Sequence, residues 1–269
     1  KKRGNISGLA ASIAGFATLT FGLMMWFFSG QKEQNTVLIA LCLGAVLWVV
    51  AALFYSRINE YKGATQGGKN GFLNALSKLK LLYQDKQFAH FVITRAFLLC
   101  SALSAPFYII LASSQQFEFS LLAVFLAVSG LASLISGPIW GRLSDFSSQK
   151  VLVISALLVT INGVSVFVIA TWYSQLFEYA WVIPGFYFLL CIAHQGVRLG
   201  RKTYLVDMAQ GNKRTDYVSV SNTVIGILLL MLGSIGLLEA FLSTAQLILL
   251  YSLLGLLGAI SAIFLPQAE

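Results

Sequence analysis

The sequence predicts an all-α integral membrane protein of eight transmembrane helices, and three observations lead there. Of its 269 residues 58% are hydrophobic and 10% charged, with a mean hydropathy of +0.80; soluble domains hold about 45–50% apolar residues. The apolar residues fall in runs of about 20, the length a helix needs to cross the hydrocarbon core. The runs are continuous rather than alternating, which argues for helices over barrel strands.

The spans are expected at roughly 5–28, 35–56, 88–112, 117–140, 150–172, 179–199, 217–238 and 243–265. The opening KKRGNISG has no starting Met and no secretory n-region, h-region or cleavage site, so the chain is expected to be part of a longer protein. With Lys1–Arg3 placed inside, the connections alternate sides. Of the 18 basic residues, Lys32 alone then falls outside and Arg95 lies within a span. That asymmetry puts both termini of the chain in the cytoplasm, and a plasma or inner membrane is the expected location. It also accounts for the net charge of +8 without nucleic acid, because the bases sit in separate short loops and not on one face.

The outer connections are short: SGQKEQN, SSQQFEF, the stretch from Trp172 to Tyr179, and LEAFLST. Trp26, Trp172, Tyr173, Tyr179 and Trp181 fall near the outer interface, where amphipathic rings are favoured. The longest connection, 57–87, is inside. Phe72, Leu76, Leu79 and Tyr83 recur there at helical spacing beside Lys78 and Lys80, as in a helix lying on anionic lipid. Cys42, Cys100 and Cys191 lie in apolar runs without paired spacing and are read as packing residues, not as a disulfide or metal set.

A shift of 211 residues lays KRGNISGLAASIAGF (2–16) on KRTDYVSVSNTVIGI (213–227), matching Lys-Arg and pairing Gly15 with Gly226. Without a gap the same shift carries the second span onto the eighth and puts Gly44 on Gly255. A repeat of six spans implies two six-helix halves. The domains then read as 1–56, the last two helices of an N-terminal bundle; 57–87, a cytoplasmic linker; and 88–269, a six-helix C-terminal bundle.

The connection GPIWGRLSDFSSQK between the fourth and fifth spans resembles the loop motif of the major facilitator superfamily, Gly-x-Leu-x-Asp-Arg-x-Gly-Arg-Arg/Lys. Gly141, Leu143, Asp145 and Lys150 fit it, while Phe146, Ser148 and Gln149 depart from it. YLVDMAQGNKRTDYVSVSNTVIG resembles the family's junction between the fourth and fifth helices of a half, through Asp207 and Arg214, with Thr215 where a Gly is usual. KKRGNISGL resembles the same junction of the other half, with Arg3-Gly4 intact.

The resemblance implies helices five to twelve of a twelve-helix secondary transporter, a small-molecule solute moved by alternating access, and no cofactor. Coupling to a proton or other ion gradient is left open. It also implies partners in the lipid bilayer and in the four N-terminal helices not contained in this sequence. The gating residues it implies are Arg3, Gly141, Arg142, Asp145, Lys150, Asp207 and Arg214. Gly141 is read as a tight exit from its helix and Pro138 as marking that helix's last turns. Asp145 is expected at the helix start from Arg3 to Ser7, drawn by unpaired N–H groups and a partial positive charge. In the plainer alternative, Asp145 and Lys150 only cap a loop and set topology.

Charged and polar residues within spans are costly and so are candidates for a cavity. Arg95 is expected either on the cavity face, where it would bind an anion, or snorkelling to the cytoplasmic headgroups. His194 and Gln195, with Tyr187 two turns away, form a second candidate group; helix–helix packing is the alternative for the histidine. Tyr108, Asn222 and Asn162 are further candidates. No Asp or Glu falls at the midplane of a span, so a proton relay would need His194 or a group from elsewhere. A transporter-like membrane sensor or assembly partner is the alternative function. An integral-membrane enzyme is disfavoured, because the sequence has no His-Glu-x-x-His, Gly-x-Ser-x-Gly or metal-ligand cluster.

Overall fold

Inside lipid every backbone N–H and C=O needs an internal partner, and the described chain meets that demand with helices. The structure, a computed structural model, describes residues 2–28, 33–58, 78–113, 121–209, 213–233 and 238–267. In chain order these form α1 (Arg3–Phe28), α2 (Glu33–Tyr55), α3 (Leu81–Gln84), α4 (Lys86–Phe97), α5 (Cys100–Leu103), α6 (Ala105–Ser113), α7 (Leu121–Phe146), α8 (Ser148–Trp172), a 3₁₀ turn (Ser174–Glu178), α9 (Val182–Met208), α10 (Lys213–Gly233) and α11 (Thr244–Ile263). No strand occurs among the described residues.

Six segments are long and apolar enough to cross a membrane: α1, the run Lys86–Ser113, α7, α8, α9 and α11. They make this an all-helical integral membrane protein. The expected count of eight is therefore met by six among the described residues. α2 contributes a shorter apolar stretch, Leu41–Tyr55, and α10 opens with Lys213, Arg214 and Asp216. The interfacial helix expected around Phe72–Tyr83 lies mostly outside the described residues; its end overlaps the short α3.

Three local expectations are corrected. The span at 88–112 is not one helix but three, α4 to α6, interrupted at Leu98–Leu99 and at Ser104. Pro106 has no N–H for the Ala102 carbonyl, and hydrogen bonds from Ser101, Ala102 and Phe107 tighten to the i−3 spacing.

The second correction concerns GRLSDFSSQK, which is helical almost throughout. α7 runs on to Phe146, and the break before α8 is Ser147, whose Oγ caps α8 by accepting from the Lys150 N–H. Gly141 thus lies inside α7, before its last turn, and is not an exit, whereas Pro138 does fall within the last turns of the helix. Charge ended the span in the sequence reading, but it does not end a helix that projects beyond the lipid. For the same reason α9 continues past the expected boundary at 199 to Met208, carrying Arg201, Lys202 and Asp207.

Lipid tails are as apolar as leucine, so helices in a membrane associate through close packing and polar contacts instead of apolar burial. α1 and α7 show this, running antiparallel. Gly4, Gly8, Ser12, Gly15 and Gly22 of α1 are buried, whereas Ile6, Leu9, Ile13 and Phe16 are exposed. The small face of α1 meets Gly130, Gly137 and Gly141 of α7. A Cβ on Gly141 would lie 2.7 Å from the Gly4 carbonyl oxygen and 3.0 Å from the Gly8 Cα, so no side chain fits there.

α8 lies against α9 and α11, and α4 and α6 pack in turn against α11. Phe88, Phe91, Leu152, Tyr204 and Tyr217 gather at one end of the bundle. Phe107, Tyr108, Phe125, Ile183 and Tyr251 gather at the other.

Candidate functional site

α9 is two-sided, and its two sides position the site. Gly196 allows α9 to approach its neighbours, because a Cβ there would lie 2.9 Å from the Trp140 ring of α7. Trp140 Nε1 in turn donates to the Ile192 carbonyl at 2.8 Å. With Ala193, Gly196, Gly200 and Thr203 buried, the remaining face presents Gln195, Arg198, Arg201 and Lys202 to a cavity of about 530 Å³. Opposite stands α1, which contributes Ser7, Ala10, Ala11 and Ala14 at helical spacing. Their small side chains leave the space that the longer ones occupy. Arg95 of α4 and Asn222 of α10 complete the polar lining.

Arg95 does not snorkel away from this cavity. Its Nη1 donates to Ser221 Oγ at 2.6 Å and its Nη2 to Asn222 Oδ1 at 2.9 Å. Both partners are neutral, so the guanidinium is held in place without its charge being cancelled. Its Nε is buried with no hydrogen-bond partner among the described residues. Arg95 is repelled by Arg201, and Arg201 by Arg198.

The carboxylates at this end of the helices are engaged elsewhere. Asp85 accepts from Tyr217 Oη and from the Phe88 N–H, Asp207 pairs with Arg3 at 3.7 Å, and Asp216 pairs with Lys78 at 2.6 Å.

One turn beyond Ser7, Asp145 reaches the start of α1. Its Oδ1 accepts from the Gly4 N–H at 2.6 Å and its Oδ2 from the Asn5 N–H at 2.8 Å. These N–H groups precede the first full turn and have no intrahelical acceptor. The geometry follows from the antiparallel pair, which brings the C-terminal end of α7 beside the N-terminal end of α1. The absence of side chains at Gly4 and Gly141 lets the carboxylate come this close. Beside it, the Arg3–Asp207 pair joins α1 to the last turn of α9. Arg142 and Lys150 are exposed, and Arg214 Nη2 donates to the Val206 carbonyl at 3.4 Å.

The expected cavity residues divide. Arg95, Gln195 and Asn222 converge on one cavity, with Gln195 Nε2 donating to Ser133 Oγ at 2.5 Å. Tyr108, Tyr187 and His194 do not join them. Tyr108 is 1% exposed and accepts from Asn162 Nδ2 at 2.9 Å, and Tyr187 packs on Phe125 at a centroid distance of 4.6 Å. His194 faces the break between α4 and α5. Its Nδ1 lies 3.0 Å from Ser101 Oγ, whose own proton goes to the Leu98 carbonyl; that leaves Nδ1 as the donor to the serine.

Arg198, Arg201 and Lys202 were read in the sequence only as topology signals. The missed clue was spacing: Gln195, Arg198 and Lys202 are three and four residues apart and share a helix face. Comparison with known proteins finds no family model and no curated protein that matches the chain.

Proposed function

We propose that this chain belongs to a secondary transporter of the major facilitator type, which moves a small solute across a plasma or inner membrane by alternating access. The observation that carries the reading is the cavity between α1 and the α4–α9–α10 wall, with the Arg3–Asp207 pair joining α1 to α9 at one end and Asp145 joining α1 to α7 beside it. In the resemblance, α1 and α2 close the first bundle and the helices from α4 onward make the second. The eight helical segments then correspond to the fifth to twelfth helices, with both chain ends cytoplasmic and no catalytic step assigned. Arg3, Gly141, Asp145 and Asp207 are the gate: Asp145 and Arg3 latch the bundles on the cytoplasmic side and favour the outward-facing state. Arg142, Lys150 and Arg214 hold their connections inside.

A carboxylate at a helix start contributes roughly 0.3–2 kcal/mol, which moves a near-balanced equilibrium about two- to thirtyfold. The test is Asp145→Asn in the full-length protein, with a cysteine at Ala14 reporting entry to the cavity from the cytoplasmic side. Labelling of that cysteine is expected to rise by a factor in this range, and solute counterflow in proteoliposomes to change with it. Unchanged labelling from either side would remove the latch, and absence of counterflow for every solute tried would remove the transporter.

A further inference from the structure

The cavity carries Arg95, Arg198, Arg201 and Lys202 and no carboxylate among the described residues that line it; nearby, Asp85 accepts from Tyr217, and Asp207 and Asp216 pair with Arg3 and Lys78. A cluster of cations partly withdrawn from water is costly unless an anion compensates it. We infer that the site takes a small solute with two or more negative charges on phosphate or carboxylate oxygens. This inference rests on the transporter reading for the solute's passage but not for its binding.

The chemistry of the lining supports that class. Guanidinium groups present planar forks that match carboxylate and phosphate oxygens, whereas an ammonium acts as a point charge. Arg95 is oriented by Ser221 and Asn222, so its fork is fixed before a ligand arrives. Arg198 and Lys202 are exposed into the cavity and Arg201 is half-buried. A singly charged ion would leave most of this charge unmatched. The volume of about 530 Å³ lies within the range of roughly 300–1,000 Å³ typical of small-molecule sites. Gln195 and Asn222 can hydrogen-bond hydroxyl or carbonyl groups of the same solute.

A lipid phosphate would offer the same chemistry as a soluble one, so the test separates the two. Full-length protein in nanodiscs of phosphatidylcholine alone is titrated with inorganic phosphate, glycerol 3-phosphate and citrate, with glycerol and chloride as neutral and monovalent controls. Calorimetry is expected to show saturable binding of at least one multivalent anion and neither control. Arg95→Gln and Arg201→Gln are each expected to weaken it about tenfold or more. Arg95→Lys, which keeps the charge and loses the fork, should fall between, and Arg57→Gln at the end of α2 should have no effect.

Absence of saturable binding by all three anions at millimolar concentration overturns the inference, provided the melting temperature shows a folded protein. So does binding that survives both Arg→Gln changes. Mass spectrometry of co-purified lipid supplies the second arm: an anionic lipid lost from the Arg→Gln variants, with no soluble anion bound, makes this a headgroup site and overturns the solute. Anion binding without counterflow leaves the inference standing and removes the transporter reading. Counterflow of a neutral solute, unaffected by the arginine changes, does the reverse.

Discussion

Pro138 shows how a single residue shapes the α1–α7 pair. Lacking an N–H, it leaves the Leu134 carbonyl without its intrahelical donor, and Ser12 Oγ of α1 donates to that carbonyl at 2.8 Å. A defect in one helix thus becomes a hydrogen bond between two. Ser12→Ala is expected to lower stability by about 0.6–1.7 kcal/mol, the range found for polar contacts between membrane helices. Pro138→Ala restores the missing donor, so Ser12→Ala should cost markedly less in that background. Equilibrium unfolding of the two single variants and the double variant, treated as a cycle, measures the coupling; additive effects would refute it. The sequence showed both residues but nothing to link them across the interval that separates them.

For the elements, the deciding feature is how closely α1 and α7 approach. A Cβ on Gly137 would lie 2.7 Å from the Gly8 carbonyl oxygen and 3.1 Å from the Ser12 backbone nitrogen. Backbone atoms cannot move aside as a flexible side chain can, so Gly137→Leu should force the helices apart. The contact between Asp145 and the start of α1 should be lost with it. Cysteines at Leu23 and Ala127, which line one pocket at the far end of the pair, joined by a bifunctional thiol reagent, would report the separation. Efficient crosslinking is expected while Gly137 is retained, and strongly reduced crosslinking in the Gly137→Leu variant. Undiminished crosslinking would show that the pair tolerates the side chain.

The small residues of α1 stood in plain view in the sequence; of the facing stripe on α7, Gly130 and Gly137 lie in the expected span 117–140, while Gly141 is expected at its exit. The repeat does not carry over, because Gly15 is buried against α7 whereas a Cβ added at its counterpart Gly226 would meet no neighbouring element within 4 Å.

Across the whole molecule, the hairpin α7–α8 turns at Ser147, and α8 ends near the 3₁₀ turn Ser174–Glu178. In a background with Cys42, Cys100 and Cys191 replaced by alanine, cysteines at Ser147 and Gln175 are expected to label from opposite sides, with Ser147 on the cytoplasmic side. Labelling of both from one side would refute the topology drawn from the basic residues.

The helical membrane class was legible in the sequence because hydropathy and the length of apolar runs are properties of local segments, and lipid leaves them few structures to adopt. Arg95, Gln195 and Asn222 were legible as candidates because a polar residue in an apolar run is costly wherever it points. Tertiary packing alone decided which candidates meet: it turned Tyr108, Tyr187 and His194 into packing or helix-break contacts and brought Arg198, Arg201 and Lys202 into the cavity. It also decided how near Asp145 comes to Gly4 and Asn5, since that distance depends on two glycine-lined helices touching along their length. Segment properties travel with the chain, whereas convergence of side chains is set by the faces that helices turn to one another.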